Sequence, residues 1–189
     1  MVKTNINLFA EGEVVYTDGG VLAEFAWILV VLPFIAALAI TFVGKSLPLK
    51  GAEVALGTIG IIFIYSLALM YLHVTEGVAN EFFINVGNIG QFDIEFGWVV
   101  DGLSIMMYFV VGLVALLVFI YATNYMEGEI RYTFFFTSLT LFAGSMLVLV
   151  SSPTLIQILI GWELVGVCSY LLIGHYWEVK DNSSAAMKA

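Results

Sequence analysis

Charge is scarce in this sequence. Only 11% of the 189 residues are charged, six of them are Lys or Arg, and the formal net charge is −9. The few basic residues are spread along the chain and form no patch of the kind that binds nucleic acid. The single cysteine, Cys168, cannot form an internal disulfide, and no Cys/His cluster has metal-ligand spacing. We therefore expect no nucleic-acid partner, no metal site and no cofactor site in this chain.

Apolar residues are correspondingly abundant. Hydrophobic residues make up 61% of the chain and aromatic residues 15%, and the mean hydropathy is +1.03. Soluble domains are about half apolar and about a quarter charged, whereas disordered chains combine low hydrophobicity with high charge. The composition excludes both classes and indicates an all-α integral membrane protein.

Five stretches are long and apolar enough to cross a bilayer, which takes roughly 20 residues. They cover residues 25–44, 54–75, 102–126, 132–150 and 154–177. A turn at Ser151–Pro153 separates the last two, because serine and proline there interrupt a helix. A signal peptide is the alternative for the first stretch, but acidic residues precede it and its apolar run is long, so we expect a retained helix.

The basic residues predict the orientation of these spans. Five spans place Lys3 on one side of the membrane and the other five basic residues on the opposite side. We therefore expect the N-terminus outside and the C-terminal tail in the cytoplasm. The predicted parts are an outer N-terminal segment (1–24), two spanning helices (25–75), an outer loop (76–101), and three further helices with a cytoplasmic tail (102–189).

The outer loop has the pattern of a β-hairpin. Phe92–Phe96 alternates strictly between apolar and acidic residues, and Phe83–Val86 is also typical of a strand. Gly87–Gly90 lies between them and is predicted to form the turn. A two-stranded hairpin is only marginally stable in water. We therefore expect it to lie against the helices or against a neighbouring subunit.

Glu163 is the one carboxylate within the fifth span. At 1.5 Å per residue it lies about 12 Å from Leu155 and about 20 Å from Tyr176, which is near the middle of the bilayer. A carboxylate there costs about 2.5–3.5 kcal/mol, so it is expected to face a bundle interior and to have a partner or a pathway. Two interpretations remain open: a proton relay, or a protonated acid that holds helices together. No Lys, Arg or Asp lies within any span to pair with it.

Residues close to the carboxylate support either interpretation. Cys168, Ser169 and Tyr170 are able to join a hydrogen-bonded chain, although helix packing is the simpler interpretation of each. Gly161 and Gly166 allow close helix approach or helix distortion. Glycine is common in membrane helices, so these two residues do not decide between the proton-relay and the helix-packing interpretation of Glu163.

Other polar residues are predicted to have structural roles. His73 and His175 lie near span ends, where lipid headgroups solvate them. Asp101 is predicted to cap the third spanning helix by accepting backbone N–H groups. Hydroxyl side chains within the spans are expected to form hydrogen bonds between helices; they are Ser104, Thr137, Ser138, Thr140 and Ser145.

Four segments, in the correct order, resemble one protein family. Gly161–Gly174 (GWELVGVCSYLLIG) is similar to the fifth helix of the distal antiporter-like, proton-translocating subunit of respiratory complex I, NADH:quinone oxidoreductase. Asp101–Ser104 resembles the start of that family's third helix, and Tyr125–Glu129, followed by further aromatic residues, resembles its loop into the fourth. Ala185–Ala189 resembles the segment that leads into its sixth helix. The first 90 residues agree only in layout.

The resemblance implies a membrane-arm subunit that translocates protons while quinone is reduced. It assigns Glu163 to a glutamate that works with a lysine on a later helix, beyond this stretch of the family. It also implies other membrane-arm subunits as partners, and NADH, FMN, iron–sulfur clusters and quinone bound in other subunits of the assembly. Two departures stand out: His175 replaces an aromatic residue, and the segment Val179–Asn182 lacks an expected proline.

Several alternatives stay open at this point. Multisubunit cation/proton antiporters share the Trp-Glu pair, although they tend to have Ser or Thr near Val165, Gly166 and Cys168. A membrane subunit of an energy-converting hydrogenase is a further possibility, as is a structural fragment that conducts nothing. We expect the 189 residues to be part of a longer subunit, with a split gene product as the alternative; the intact mass of the native polypeptide distinguishes these two.

Overall fold

The structure of the chain, a computed structural model, describes residues 20–89 and 92–188. Within this part, seven α-helices and one β-hairpin follow one another, and 3-10 turns at Gly44–Ser46 and Gly174–Tyr176 extend two of the helices. The elements are α1 (Gly20–Glu24), α2 (Trp27–Val43), α3 (Ala52–Glu76), β1 (Asn80–Ile89), β2 (Phe92–Val100), α4 (Gly102–Tyr125), α5 (Tyr132–Val150), α6 (Leu155–Ile173) and α7 (Lys180–Ala186). The predicted N-terminal segment lies outside the described residues, except for its last five positions.

Five helices, α2 to α6, are long and apolar enough to cross a membrane. This confirms the predicted fold class: a helical membrane protein with one hairpin between its second and third spans. The helices α2, α4 and α6 all pack against α5, while α3 packs against α4 and α2. Lipid is as apolar as the helix surfaces, so close packing rather than water exclusion holds such helices together.

The core lies between α2, α3, α4 and α5. Tyr108, Phe119 and Phe136 are its largest fully buried side chains, and the rings of Phe119 and Phe136 meet edge to face at 6.1 Å. Aromatic pairs favour such offset or edge-on arrangements. The N-terminal end of α4 is fixed by the predicted cap: the Asp101 Oδ1 atom accepts a hydrogen bond from the Ser104 backbone N–H at 2.7 Å.

The hydroxyl groups within the helices mostly serve their own helix. In a helix, a Ser or Thr hydroxyl can donate its hydrogen bond to the backbone carbonyl one turn earlier. Thr140 does so to the Phe136 carbonyl at 2.7 Å. Two contacts do cross between helices: Thr41 to Thr137 at 3.5 Å and Ser145 to Cys168 at 3.8 Å. The expectation of interhelical hydrogen bonds is therefore confirmed for Thr137 and Ser145 and wrong for Ser138 and Thr140. Thr137, Ser138, Thr140 and Ser145 all donate to a carbonyl of their own helix.

The hairpin is present and longer than predicted. Its antiparallel strands pair from Asn80 with Val100 to Ile89 with Phe92, with an irregularity between Asn85 and Gly87. The predicted turn is wrong for residues 87–89, because strand pairing satisfies their backbone groups; residues 90 and 91 lie outside the described part. Near the base of the hairpin, the rings of Phe82 and Trp98 stack at 4.4 Å.

The connections between the helices lie at two opposite ends of the bundle. The hairpin end contains the hairpin and the Ser151–Thr154 turn. The basic end contains the connections 44–51 and 126–131 and the segment 174–188, and these hold five of the six basic residues of the chain. Contacts within the basic end include the hydrogen bond from the Thr133 hydroxyl to the Lys50 carbonyl at 3.0 Å.

Candidate functional site

Helix α6 carries Glu163 and packs against α5 through one side only. The buried residues of α6 are Gln157, Gly161 and Cys168, whose spacings of four and seven place them in one stripe along the helix. At Gly161 the helices touch: a Cβ atom there would lie 2.9 Å from the Leu149 Cα atom. The prediction that Gly161 permits close helix approach is confirmed.

Glu163 lies on the other side of α6. Two residues turn an α-helix by about 200°, so Glu163 points almost directly away from Gly161. Its side chain is exposed and makes no hydrogen bond or ion pair with any described residue. The expectation that Glu163 faces the bundle interior is therefore wrong for the bundle that this chain forms, because the close contact at Gly161 sets the rotation of the helix.

The exposed face of α6 is otherwise apolar and aromatic. Leu159 is 60% exposed, and Trp162 is 68% exposed. The carboxylate of Glu163 is the single charged group of this helix. The other large exposed residues of α6 are Leu155, Ile156, Ile158, Ile160, Val167, Tyr170 and Ile173. A bilayer would solvate these side chains but not an ionised carboxylate, so this face is suited to contact with further protein.

The three residues expected to join Glu163 point in different directions. Cys168 is buried on the α5 side, 3.8 Å from the Ser145 hydroxyl. The Ser169 hydroxyl donates to the Val165 carbonyl of its own helix at 2.9 Å. Tyr170 is seven residues beyond Glu163, which places it only about 20° away around the helix. Of the three, Tyr170 alone shares the face of the carboxylate.

Gln157, which the sequence did not single out, fixes the beginning of α6 to the hairpin. Its side-chain Nε2 donates to the Gly97 carbonyl at 2.8 Å, and its Oε1 accepts from the Gly97 N–H at 2.9 Å. A buried amide requires such partners. The available signal was a glutamine in the first turn of an apolar helix, where a polar side chain has to find a polar neighbour.

Two neighbouring contacts also join the hairpin to the turn before α6. The Val99 N–H donates to the Ser151 carbonyl at 2.9 Å, and the Thr154 hydroxyl donates to the Glu95 carbonyl at 3.1 Å. The three strand positions 95, 97 and 99 alternate along β2, so they share its outer edge. That edge is thereby covered by the turn between α5 and α6, which provides the surface that the predicted hairpin required.

The other end of α6 is held by Arg131. Its NH1 group donates to the His175 carbonyl at 2.5 Å, its NH2 group forms an ion pair with Glu178, and its guanidinium lies 5.2 Å from the centre of the Trp177 ring. The Trp177 indole N–H also donates to Glu178 at 2.8 Å. Hydrogen bonds from a charged donor are stronger than neutral ones, so these contacts fix the segment after α6 against the start of α5.

The two histidines differ in their exposure. His175 is 5% exposed, with the Phe135 and Tyr176 rings centred 5.6 and 4.8 Å from its own. Its expected solvation by headgroups is wrong, because these rings and the segment after α6 enclose it. The His73 ring is half-buried, and its Nδ1 atom lies 2.7 Å from the Val78 carbonyl.

Two family models match the chain. The model described as "NADH-Ubiquinone oxidoreductase (complex I), chain 5 N-terminus" matches residues 87–136. The model described as "NADH:quinone oxidoreductase/Mrp antiporter, TM" matches residues 152–189. The second match includes Glu163 and the whole of α6, and the first includes β2 and α4.

Curated relatives agree with these matches. NAD(P)H-quinone oxidoreductase chain 5 of Picosynechococcus sp. is 38% identical over 176 residues, which are 89% of this chain and 26% of the relative. The NAD(P)H-quinone oxidoreductase subunit 5 of Paulinella chromatophora is 36% identical over 88% of this chain and 26% of the relative. NADH-quinone oxidoreductase subunit L of Escherichia coli is 49% identical over 54% of this chain and 17% of the relative. The chain thus spans about a quarter of the length of the relatives from Picosynechococcus and Paulinella.

A solved structure shares the fold. A chain in the structure of the membrane-bound sulfane sulfur reductase, an archaeal respiratory membrane complex, superposes with a TM-score of 0.69 at 13% sequence identity. The superposition covers 86% of this chain and 32% of that chain. At this identity the likeness concerns the arrangement of the helices alone.

Proposed function

Because this chain belongs to the antiporter-like subunits of complex I and corresponds to their N-terminal part, we propose that it contributes to proton translocation coupled to quinone reduction. Its relatives are named as subunits of NAD(P)H-quinone oxidoreductase. In this proposal it is a subunit of that enzyme without a redox site of its own, and NADH, FMN, iron–sulfur clusters and quinone bind to other subunits.

One observation carries the proposal: Glu163 lies near the middle of the fifth candidate span, on a face of α6 that no described residue covers. A carboxylate in such a place is costly and marks proton or ion pathways. The proposed role of Glu163 is to take up and release a proton. The exposed face around it then receives the helix that provides the basic partner, which the resemblance assigns to a lysine.

The energies are consistent with this role. Moving one proton against 100 mV of membrane potential costs about 2.3 kcal/mol. A lysine ammonium about 4 Å from a carboxylate interacts by about 4 kcal/mol at the effective dielectric constant of roughly 20 that suits most protein sites. Moving that ammonium towards or away from Glu163 therefore changes the free energy of the bound proton by enough to drive it across the membrane.

The distribution of charge supports a proposed orientation. The basic end carries Lys45, Lys50, Arg131, Lys180 and Lys188, and cytoplasmic loops are enriched in basic residues. We place the basic end in the cytoplasm and the hairpin end, with the N-terminus, outside an energy-transducing membrane. The proposed partners are the lipid bilayer and the other membrane-arm subunits of the complex.

A cation/proton antiporter subunit is the second candidate. The description of the family model that matches residues 152–189 names the Mrp antiporter beside the quinone oxidoreductase. Both assignments use Glu163 in the same way and differ in what drives the proton: electron transfer in one case and a cation gradient in the other.

The test replaces Glu163 by Gln in the complete assembly, purified and reconstituted into vesicles. We expect electron transfer from NADH to quinone to continue in this variant and proton translocation to be strongly reduced. Glu127→Gln is the matched control, because it removes the same charge from an exposed position outside the helices. Proton translocation that is unchanged in Glu163→Gln vesicles overturns the proposed role. Proton translocation that depends on a Na⁺ gradient and does not depend on added NADH supports the antiporter assignment.

A further inference from the structure

We infer that Tyr170 and the open space beside Gly166 connect Glu163 to the basic end of the bundle, and that Tyr170 passes protons along this path. The inference rests on the proposed function and adds the residue by which protons reach or leave the carboxylate. It follows from the alignment of three residues on one face of α6 and from the cavity next to them.

The alignment of Glu163 and Tyr170 comes from helix geometry. Seven residues rotate the chain by nearly two full turns and raise it by about 10.5 Å. Side chains on a helix lean towards its N-terminus, so the tyrosine ring extends back from Tyr170 in the direction of Glu163. Tyr170 is 49% exposed, which leaves its hydroxyl accessible. The separation that remains is suited to water molecules rather than to a direct hydrogen bond.

Gly166 leaves room for that water on α6, beside the helix that this face is proposed to receive. It lies one turn beyond Glu163 and one turn before Tyr170, and a Cβ atom built on it would meet no atom within 4 Å. Any larger residue at this position would place a side chain between the carboxylate and the phenol. A polar group at each end of the space meets the requirement that an ordered water has polar partners.

A cavity continues the path from Tyr170 to the basic end. Its volume is about 310 Å³, and Tyr170, Arg131 and Ser183 are among the residues that line it. Each water molecule takes up about 30 Å³ in the liquid, so the cavity has room for several. The guanidinium and the serine hydroxyl lie where the chain leaves the apolar part of α6. Tyr170 is therefore the point at which the cavity meets the face of Glu163.

The proton transfer balances without any change in Tyr170. The phenol oxygen accepts a proton from a hydronium ion in the cavity, which becomes water, while its own O–H proton passes to water beside Gly166. The hydronium ion formed there protonates the Glu163 carboxylate, which becomes a neutral carboxylic acid, and water is regenerated. Rotation of the phenol O–H restores the starting state, and the reverse sequence releases the proton. A hydroxyl can both donate and accept, as this transfer requires.

Tyr71 provides a matched comparison. It is a tyrosine of α3 that is 69% exposed, and it lies on a different helix from Glu163. Tyr71→Phe makes the same change as Tyr170→Phe, the loss of one phenol hydroxyl, away from the inferred path.

The experiment measures the rate of NADH-driven proton translocation in vesicles that contain the complete assembly. Tyr170→Phe keeps the ring and removes the hydroxyl; we expect this rate to fall by about 10²-fold, the lower end of the roughly 10²–10⁴-fold that a positioned proton-transfer group contributes. The solvent isotope effect, measured as the ratio of rates in H₂O and D₂O, should also change. Tyr71→Phe should keep both the wild-type rate and the wild-type isotope effect. A purely structural role of Tyr170 would leave the isotope effect unchanged.

A second pair of variants tests the space. Gly166→Leu fills it and should slow translocation, whereas Gly57→Leu, at another open glycine of the bundle, should not. These variants decide the question if Tyr170→Phe fails to assemble: equal rates in the two leucine variants overturn the inference. Wild-type behaviour of Tyr170→Phe together with loss of translocation in Glu163→Gln also overturns it and leaves the proposed function standing. If Glu163→Gln itself translocates normally, the proposed function fails, and this inference fails with it.

Discussion

Gln157 and Gly97 exchange two hydrogen bonds, at 2.8 and 2.9 Å, although 60 residues separate them in the sequence. The side-chain amide thereby acts on the edge of β2 as a further strand would. It joins the hairpin to the first turn of α6, six residues and about 9 Å before Glu163. The position of the carboxylate along the membrane normal is therefore tied to the hairpin as well as to α5.

Replacing Gln157 by Leu should weaken this junction. The change leaves the Gly97 N–H and carbonyl without partners, and each buried unsatisfied group costs about 1–3 kcal/mol. We expect a loss of about 2 kcal/mol in the free energy of unfolding in detergent and faster hydrogen exchange of the Gly97 amide. Ile156→Ala, on the exposed side of the same turn, is the control. Unchanged exchange at Gly97 would show that the glutamine does not hold the strand.

Glu81 gives the hairpin end a dependence on pH. Partial burial, followed by the negative charge of Asp101, raises the pKa of the Glu81 carboxyl. The folded state therefore holds this proton more tightly than the unfolded chain, whose glutamate has a pKa of about 4.3. The stabilisation is present at low pH and is lost as the pH rises through the raised pKa.

Glu81→Gln should accordingly raise the melting temperature at pH 7.5, because the variant carries no charge to bury beside Asp101. At pH 4 and below, where Glu81 is protonated, the difference should disappear. Glu95→Gln, on the other strand of the hairpin, is the control for removal of a charge. A melting temperature that rises equally at both pH values would point to a cause other than the ionisation of Glu81.

The sequence predicted the elements far better than their rotation about their own axes. The number of spans, the hairpin and the Asp101 cap follow from local signals: apolar length, alternation and a carboxylate before a helix. The side of α6 that Glu163 occupies depends on the contact of Gly161 with Leu149, which is a tertiary fact. The spacing of Gln157, Gly161 and Cys168 was present in the sequence, but the cost of a buried carboxylate pointed to the opposite side.

Hydrogen-bond partners that lie far apart in the chain could not be predicted from the sequence, because they also depend on tertiary packing. Nothing near Gln157 in the sequence identifies Gly97 as its partner, and nothing near His175 shows that Arg131 would bind its carbonyl. A histidine at a span end is equally suited to headgroups and to an aromatic enclosure, and only the packing of the segment after α6 decides between them.

The contact between α5 and α6 should respond sharply to the size of residue 161. A Cβ atom on Gly161 would lie 2.9 Å from the Leu149 Cα atom and 3.0 Å from its backbone N, and neither atom can move aside alone. Gly161→Val should destabilise the protein by about 1–3 kcal/mol, as overpacking does. Gly57→Ala is the matched control, because its Cβ meets nothing within 4 Å and alanine favours a helix over glycine by about 1 kcal/mol. Equal effects of the two substitutions on thermal unfolding would contradict the close contact.

Arg131 should matter more through its hydrogen bond to a backbone carbonyl than through its ion pair. Glu178 is largely exposed, with 62% of its side chain accessible, and exposed ion pairs contribute about 0–1 kcal/mol. The hydrogen bond to the His175 carbonyl comes from a charged donor, and such bonds contribute about 1.5–3 kcal/mol. Arg131→Ala should therefore lower the free energy of unfolding by about 2 kcal/mol and speed proteolysis between residues 174 and 180, whereas Glu178→Gln should cost less than about 1 kcal/mol. If the two variants prove equally unstable, the ion pair rather than the carbonyl contact holds the end of α6.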